Sequence, residues 1–168
     1  PSRTGTGAGQ ALKRASVPPT FLIMTLHLVK LCVGCESIAE LEGWIAETSV
    51  ERRRRKQVDE QIHTTRMMPK RLEDLLAGGS LYWVIKGMIS CRQSILDLRQ
   101  VTGSDGISRC AIVLEQTVIP VQPRAMRPFQ GWRYLEEQSA PRDLKKVGKF
   151  AKDMPETMRR ELAELGLL

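Results

Sequence analysis

Ser80-Leu81-Tyr82-Trp83-Val84-Ile85-Lys86 is the most strongly strand-forming stretch of the chain. Aromatic and β-branched side chains fit a pleated surface better than a helix. Gly78-Gly79 before it and Gly87 after it bound the segment. Gly87 reads as a bulge or bend, after which the strand resumes through Arg92 and Ile95. Gly103-Ser104-Asp105-Gly106 is a turn, residues 107–114 form the next strand, and residues 118–121 form another. Consecutive strands joined by short turns predict antiparallel pairing rather than βαβ units.

Working outward toward the N-terminus, the segment before this meander is helical. Pro69 opens a short helix carrying Leu72, Leu75 and Leu76, and Gly78-Gly79 stops it. His63 to Met67 reads as a short strand. Upstream, Ser37 with Glu40 three residues later makes a capping box, and Ile38, Leu41, Trp44 and Ile45 recur at helical spacing. That helix runs on into Arg52-Arg53-Arg54-Arg55-Lys56, a run that spreads around a helix end rather than forming one face. Residues 25–31 alternate as a strand, broken by Gly34. Toward the C-terminus, a proline-bearing loop leads to residues 129–135, and a last helix follows Pro155 with Met158, Leu162 and Leu165 on one side.

A length of 168 residues is that of one domain, enough to bury roughly two-thirds of the unfolded surface without a disulfide or metal. Hydrophobic residues at 42% and charged residues at 27% fit a globular protein. No apolar run reaches the length of a membrane span, and no signal peptide precedes the patterned region, so a cytoplasmic protein with reduced thiols and no membrane partner is expected. Residues 1–23 are rich in Gly, Ser, Thr and Pro and read as a disordered arm outside the fold, with a single domain over residues 24–168. The arm carries Arg3, Lys13 and Arg14 and no acid, so it supplies +3 of the net +7 and leaves the domain at +4. That balance permits a phosphate-bearing partner without demanding one.

The chemistry-bearing motifs are few. Cys32-Val33-Gly34-Cys35 lies between a strand and a helix, where a redox pair or half a zinc site can sit. Cys91 and Cys110 form no second close pair, and two small residues at a strand end is the structural alternative. Neither His27, within an apolar strand, nor His63, at a strand edge, belongs to a recognisable triad or metal motif. Gly78-Gly79-Ser80 precedes a strand, whereas a phosphate cradle precedes a helix. No cofactor or metal is implied.

The arginines and aromatics are more suggestive. Arg66, Lys70 and Arg71 cluster ahead of the central strand, Tyr82 and Arg92 lie in the sheet, and Arg127, Gln130, Trp132 and Arg133 surround Phe129. Guanidinium forks grip phosphates and aromatic faces stack on bases. These residues are the candidate ligand-binding set; an aromatic plug with ion-paired arginines is the structural alternative.

Four strings, 24–34, 65–71, 79–87 and 127–135, together with the closing Glu161-Leu162-Ala163-Glu164-Leu165-Gly166-Leu167-Leu168, resemble the bacterial domain-of-unknown-function 1489 family. The resemblance covers residues 24–168 and brings no activity or catalytic residue with it. The order of a short basic helix, a Gly-led strand and a β meander is also similar to PUA-like barrels of the ASCH and EVE type, which bind RNA or modified bases. The expected fold is therefore α+β: one domain with a mainly antiparallel curved sheet, barrel-like in the PUA sense, one long helix and two shorter ones. Three functions fit the sequence. One is a nucleic-acid or nucleotide-binding module, for RNA or a nucleotide, using an Arg/aromatic groove. Another is a small enzyme acting on an anionic or phosphorylated substrate through His63 or Cys32. The third is a protein-interaction or structural domain.

Overall fold

The computed structural model describes residues 24–144 and 154–164. The arm at 1–23 and Leu165 of the last helix lie outside the described residues. Seven strands form one mixed, mostly antiparallel sheet in the order β2-β5-β4-β3-β1-β7, with β6 attached to β4 off this path. The strands are β1 (Leu26–Leu31), β2 (Gln61–Thr65), β3 (Ser80–Ile85), β4 (Met88–Thr102), β5 (Ser108–Leu114), β6 (Ile119–Ala125) and β7 (Trp132–Glu136). Among the described residues the helices are α1 (Ile38–Arg54), α2 (Leu72–Leu76) and α3 (Glu156–Glu164), with a single 3₁₀ turn at Glu137–Ser139. The fold is α+β, as the strand and helix patterns predict. No helix among the described residues is long and apolar enough to cross a membrane.

β3 is the middle of the molecule, and all six of its residues are buried. Leu81, Trp83 and Ile85 join the larger core with Leu26 and Leu28 of β1, Ile38, Leu41 and Ile45 of α1, and Leu75 of α2. Tyr82 and Val84 point the other way, into a smaller cluster with Val29, Ile89, Val121, Phe129 and Leu135. The period-2 alternation of a strand thus feeds two apolar layers at once. β3 is parallel to β1 on one side and antiparallel to β4 on the other. The parallel pair is possible because α1, β2 and α2 intervene between β1 and β3.

Gly87 does not make a bulge. Lys86 (φ 49°) and Gly87 (φ 76°) are both left-handed and form a tight two-residue hairpin turn between β3 and β4. Positive φ at both central positions matches the twist of the flanking strands, which is why the chain reverses there. The bulge lies instead between Trp83 and Val84, where Ser90 is the extra residue on β4 and its hydroxyl donates to the Met88 carbonyl (3.0 Å). β4 is long enough to serve two partners on its far edge, β6 along its first part and β5 along its second. The short strand read as His63 to Met67 runs from Gln61 to Thr65 and pairs with β5.

The caps follow the sequence. Ser37 Oγ accepts from the Glu40 N–H (3.1 Å), while the Glu40 carboxylate reaches back to the Glu36 N–H (2.8 Å). Arg52, Arg53 and Arg54 occupy the last turn of α1, where cations suit the helix dipole. Ser49, on the buried side of α1, donates to Asp59 (2.7 Å), and Arg53 pairs with the same carboxylate (2.7 Å), tying the helix end to the loop before β2.

The sheet curves strongly but does not close. β2 and β7 are the two ends of the strand order, so the barrel expected from the meander stays open at one seam. Side chains hold the seam where a backbone ladder would close it. Trp132 Nε1–H donates to the Met67 carbonyl (2.9 Å), and the Tyr134 hydroxyl accepts from the Lys70 N–H (2.9 Å). Residues 132–136, to which the proline-bearing loop leads, are the edge strand β7; they owe this to antiparallel pairing with β1, from Leu26↔Glu136 to Lys30↔Trp132.

Two glycines test this packing in opposite directions. A Cβ at Gly79 would overlap the carbonyl oxygens of Leu26 and Leu75, both backbone atoms that cannot swing aside. Gly79→Ala is expected to cost more than about 2 kcal/mol in urea unfolding, a strain-class effect. Gly43, exposed in the middle of α1 with open space around it, should behave oppositely: Gly43→Ala gains about 0.5–1 kcal/mol.

Candidate functional site

The open seam forms a cleft in two connected parts. One cavity, of about 590 Å³, is lined by Lys30, Thr64, Thr65, Arg66, Met67, Gln130, Gly131 and Trp132. The other, of about 500 Å³, is lined by residues 30–35 together with Glu40, Leu41, Trp44, His63, Thr64 and Trp83. Lys30 and Thr64 line both, so the two adjoin there. All three tryptophans of the chain, Trp44, Trp83 and Trp132, stand on this one cleft.

Local structure sets each wall. Lys30 is near the end of β1, directly opposite Trp132 of β7 in the ladder. Trp132 is held by its hydrogen bond to Met67 and by an edge contact with Tyr134, ring centres 4.9 Å apart. Trp83 is fixed from behind: its Nε1–H donates to Gln93 Oε1 (2.9 Å), and Gln93 Nε2–H donates to the Glu115 carbonyl (2.8 Å). This buried amide relay leaves the Trp83 ring to form the floor, in edge contact with the His63 ring (5.0 Å). Trp44 lies at the rim, 47% exposed, rather than in the helix's buried stripe, which Ile38, Leu41, Ile45 and Ser49 supply.

The cations at the cleft stand apart from most of the others. Arg53, Arg55, Arg71, Arg92, Arg99, Arg109 and Arg160 each pair with a carboxylate. Lys30 and Arg66 have no acidic partner among the described residues. Their charge is left to the cleft, where a desolvated phosphate would meet guanidinium and ammonium together.

The titratable groups are tuned toward neutrality. Burial, and then the nearby Lys30 charge, hold His63 well below its ordinary value, at about 4. Its Nε2 is buried and has no hydrogen-bond partner among the described residues. Burial pushes the Cys32 thiol up, as does its hydrogen bond with Cys35. Neither is an activated nucleophile or base at neutral pH. His27 is a structural residue: its Nδ1 accepts from the Ser80 N–H (3.0 Å), which requires the neutral ring, and burial lowers its pKa in agreement. Among the described residues no group of three or more His, Cys, Asp or Glu side chains is arranged to hold a metal ion.

Of the residues singled out from the sequence, Arg66, Gln130 and Trp132 meet in the cleft. Lys70 and Arg71 sit beside it, where their N–H groups donate to the Tyr134 hydroxyl and the Arg71 guanidinium is taken by Asp74 (2.8 Å). Tyr82 and Arg92 face each other across β3 and β4 on the opposite side of the sheet. Tyr82 is buried there against His27, and Arg92 grips Asp143 through two bonds of 2.7 Å and the Ser80 hydroxyl at 2.9 Å. Arg133 alternates away from Trp132 and lies over the Phe129 ring at 4.6 Å. Arg127 is exposed in the loop before β7 and does not line the cleft. Lys30, Thr64 and Trp44 complete the cleft and were not distinguished by the sequence pattern.

His63 gives the site a pH signature. The unfolded chain protonates near 6.5 and the folded chain near 4, so as pH falls the unfolded state takes up the proton first. The contribution to stability is complete above about pH 6.5 and is lost as pH falls toward 4. Urea titrations at pH 7 and pH 4.5 should show this loss, and His63→Gln should remove up to roughly 3 kcal/mol of it. Superimposable pH profiles for wild type and variant would show that His63 is not held neutral.

No curated protein matches the chain, and no solved structure does. A family model does match, over residues 28–168. That span includes β3, the last four residues of β1 and every residue that lines the cleft. The chain belongs to the family described as "Protein of unknown function (DUF1489)".

Proposed function

We propose that the seam cleft is a binding site for single-stranded nucleic acid, taking a short run of nucleotides along the gap between β2 and β7. The observation that carries this reading is the meeting of two cations without ion-pair partners among the described residues, Lys30 and Arg66, with two partly exposed tryptophans, Trp44 and Trp132, in one open cleft floored by the buried Trp83. Cations neutralise phosphates and release counterions, while indole faces stack on unpaired bases whatever their sequence. The two cavities, about 590 and 500 Å³, are of ligand-pocket size. Gln130 adds an amide able both to donate to a base edge and to accept from one. The cavity nearer α1 contains His63, whose lowered pKa of about 4 makes it a weak base, and no carboxylate among the described residues orients its ring, which favours binding over hydrolytic catalysis.

Fluorescence anisotropy with a labelled oligouridylate tests the proposal. Binding should weaken linearly on a logarithmic salt axis. Lys30→Ala and Arg66→Ala should each reduce affinity about five- to tenfold and lower the salt slope by about one. Arg133→Ala, on the other face of β7, should leave it unchanged. Absence of salt-sensitive binding, or equal losses for Arg133→Ala and Arg66→Ala, would refute the assignment.

A further inference from the structure

We propose that Cys32 and Cys35 form a reversible dithiol/disulfide couple at the α1 end of the cleft. The backbone turns both cysteines onto one cavity. Cys32 is anchored to the sheet through its N–H, which donates to the Val84 carbonyl (2.9 Å). Gly34, at φ 84°, turns the chain back in a conformation that side-chain-bearing residues rarely adopt. Cys35 then stands two residues before the Ser37 cap of α1. Both ends of the four-residue loop are thus fixed, and both cysteines line the same cavity of about 500 Å³.

Accessibility separates this pair from the other two cysteines. Cys32 and Cys35 are partly exposed, whereas Cys91 and Cys110 are fully buried in the larger core. Zinc is the competing use of two close thiols, but a structural zinc site takes four ligands, and no third His, Cys, Asp or Glu is arranged with this pair to hold a metal ion among the described residues. Disulfide exchange needs only the two sulfurs and a path for the oxidant, and the cleft supplies the path.

The co-reactant is a small-molecule disulfide. The thiolate of one cysteine attacks a sulfur of that disulfide, forming a mixed disulfide and expelling the first thiol. The second cysteine attacks the protein-bound sulfur, closing the Cys32–Cys35 bond and expelling the second thiol. The protein loses two protons and two electrons, and the small disulfide gains both as two thiols.

The test is equilibration of the full chain with glutathione mixtures from reducing to oxidising, acid quenching, alkylation and mass analysis with peptide mapping. It uses no nucleic acid, so its outcome is separate from that of the binding proposal. The expected result is one transition to a species lighter by two hydrogens, with the disulfide in the peptide containing Cys32 and Cys35. Two alkylation sites are then lost, and Cys91 and Cys110 alkylate only after denaturation. Cys32→Ser and Cys35→Ser should each stop at a glutathione adduct on the remaining cysteine. A folded wild-type protein that stays fully reduced, or that accumulates only mixed glutathione adducts, would overturn the proposal.

Discussion

The burial of β3 on both faces constrains everything around it. All six residues from Ser80 to Ile85 are buried and four of them, Leu81, Trp83, Val84 and Ile85, are strongly apolar and divide between the two faces, so apolar material must cover both sides. α1 and α2 cover one side, and Phe129, Val121 and Leu135 cover the other. A strand buried in this way must also be flanked on both edges, and β1 and β4 fill those edges. The long β4 then carries β5, and β5 carries β2, so the sheet wraps around the larger core until His63 of β2 meets Trp83 of β3.

The wrap ends one pairing short of a barrel, and the polar character of the molecule concentrates at that gap. Several arginines elsewhere are matched by acids: Arg92 with Asp143, Arg99 with Glu60 and Asp97, Arg109 with Asp105. At the gap, Lys30 and Arg66 have no ion-pair partner among the described residues, and Trp44 and Trp132 are only partly covered. An open sheet edge is ordinarily a liability that a fold covers or charges. Here it is bridged by a few side-chain hydrogen bonds and lined with groups suited to phosphates and bases. The same opening leaves Cys32 and Cys35 reachable from solvent, while the other two thiols are sealed.

The strands and helices were legible where the signal is local. Ser80 to Lys86, the Ser37/Glu40 cap and the turn at residues 103–106 each carry their own chemistry in a short window. The features that failed are non-local. β7 is a strand because β1 lies beside it, and residues 128–131, with a proline and a glycine, give no hint of that partner. Arg92 looks like a ligand-binding arginine until Asp143, 51 positions away, is seen to clamp it. Lys30 shows the converse: in sequence it is one polar residue in an apolar strand, and only the ladder sets it opposite Trp132. At Gly87 the sequence leaves a bulge and a bend open, because a two-residue left-handed turn and a bulge draw on the same glycine. Arg66, Gln130 and Trp132 were found because residue type alone flagged them.

The central claim is that the seam between β2 and β7 is the ligand-binding face. Amide and indole chemical-shift mapping during titration with a short single-stranded oligonucleotide tests it most directly. The account predicts that shifts concentrate at Lys30, at Thr64 to Met67, at Gln130 to Trp132 and at the Trp132 and Trp44 indoles. Shifts centred on Arg92, Arg133 and Phe129, or no shifts at all, would contradict it.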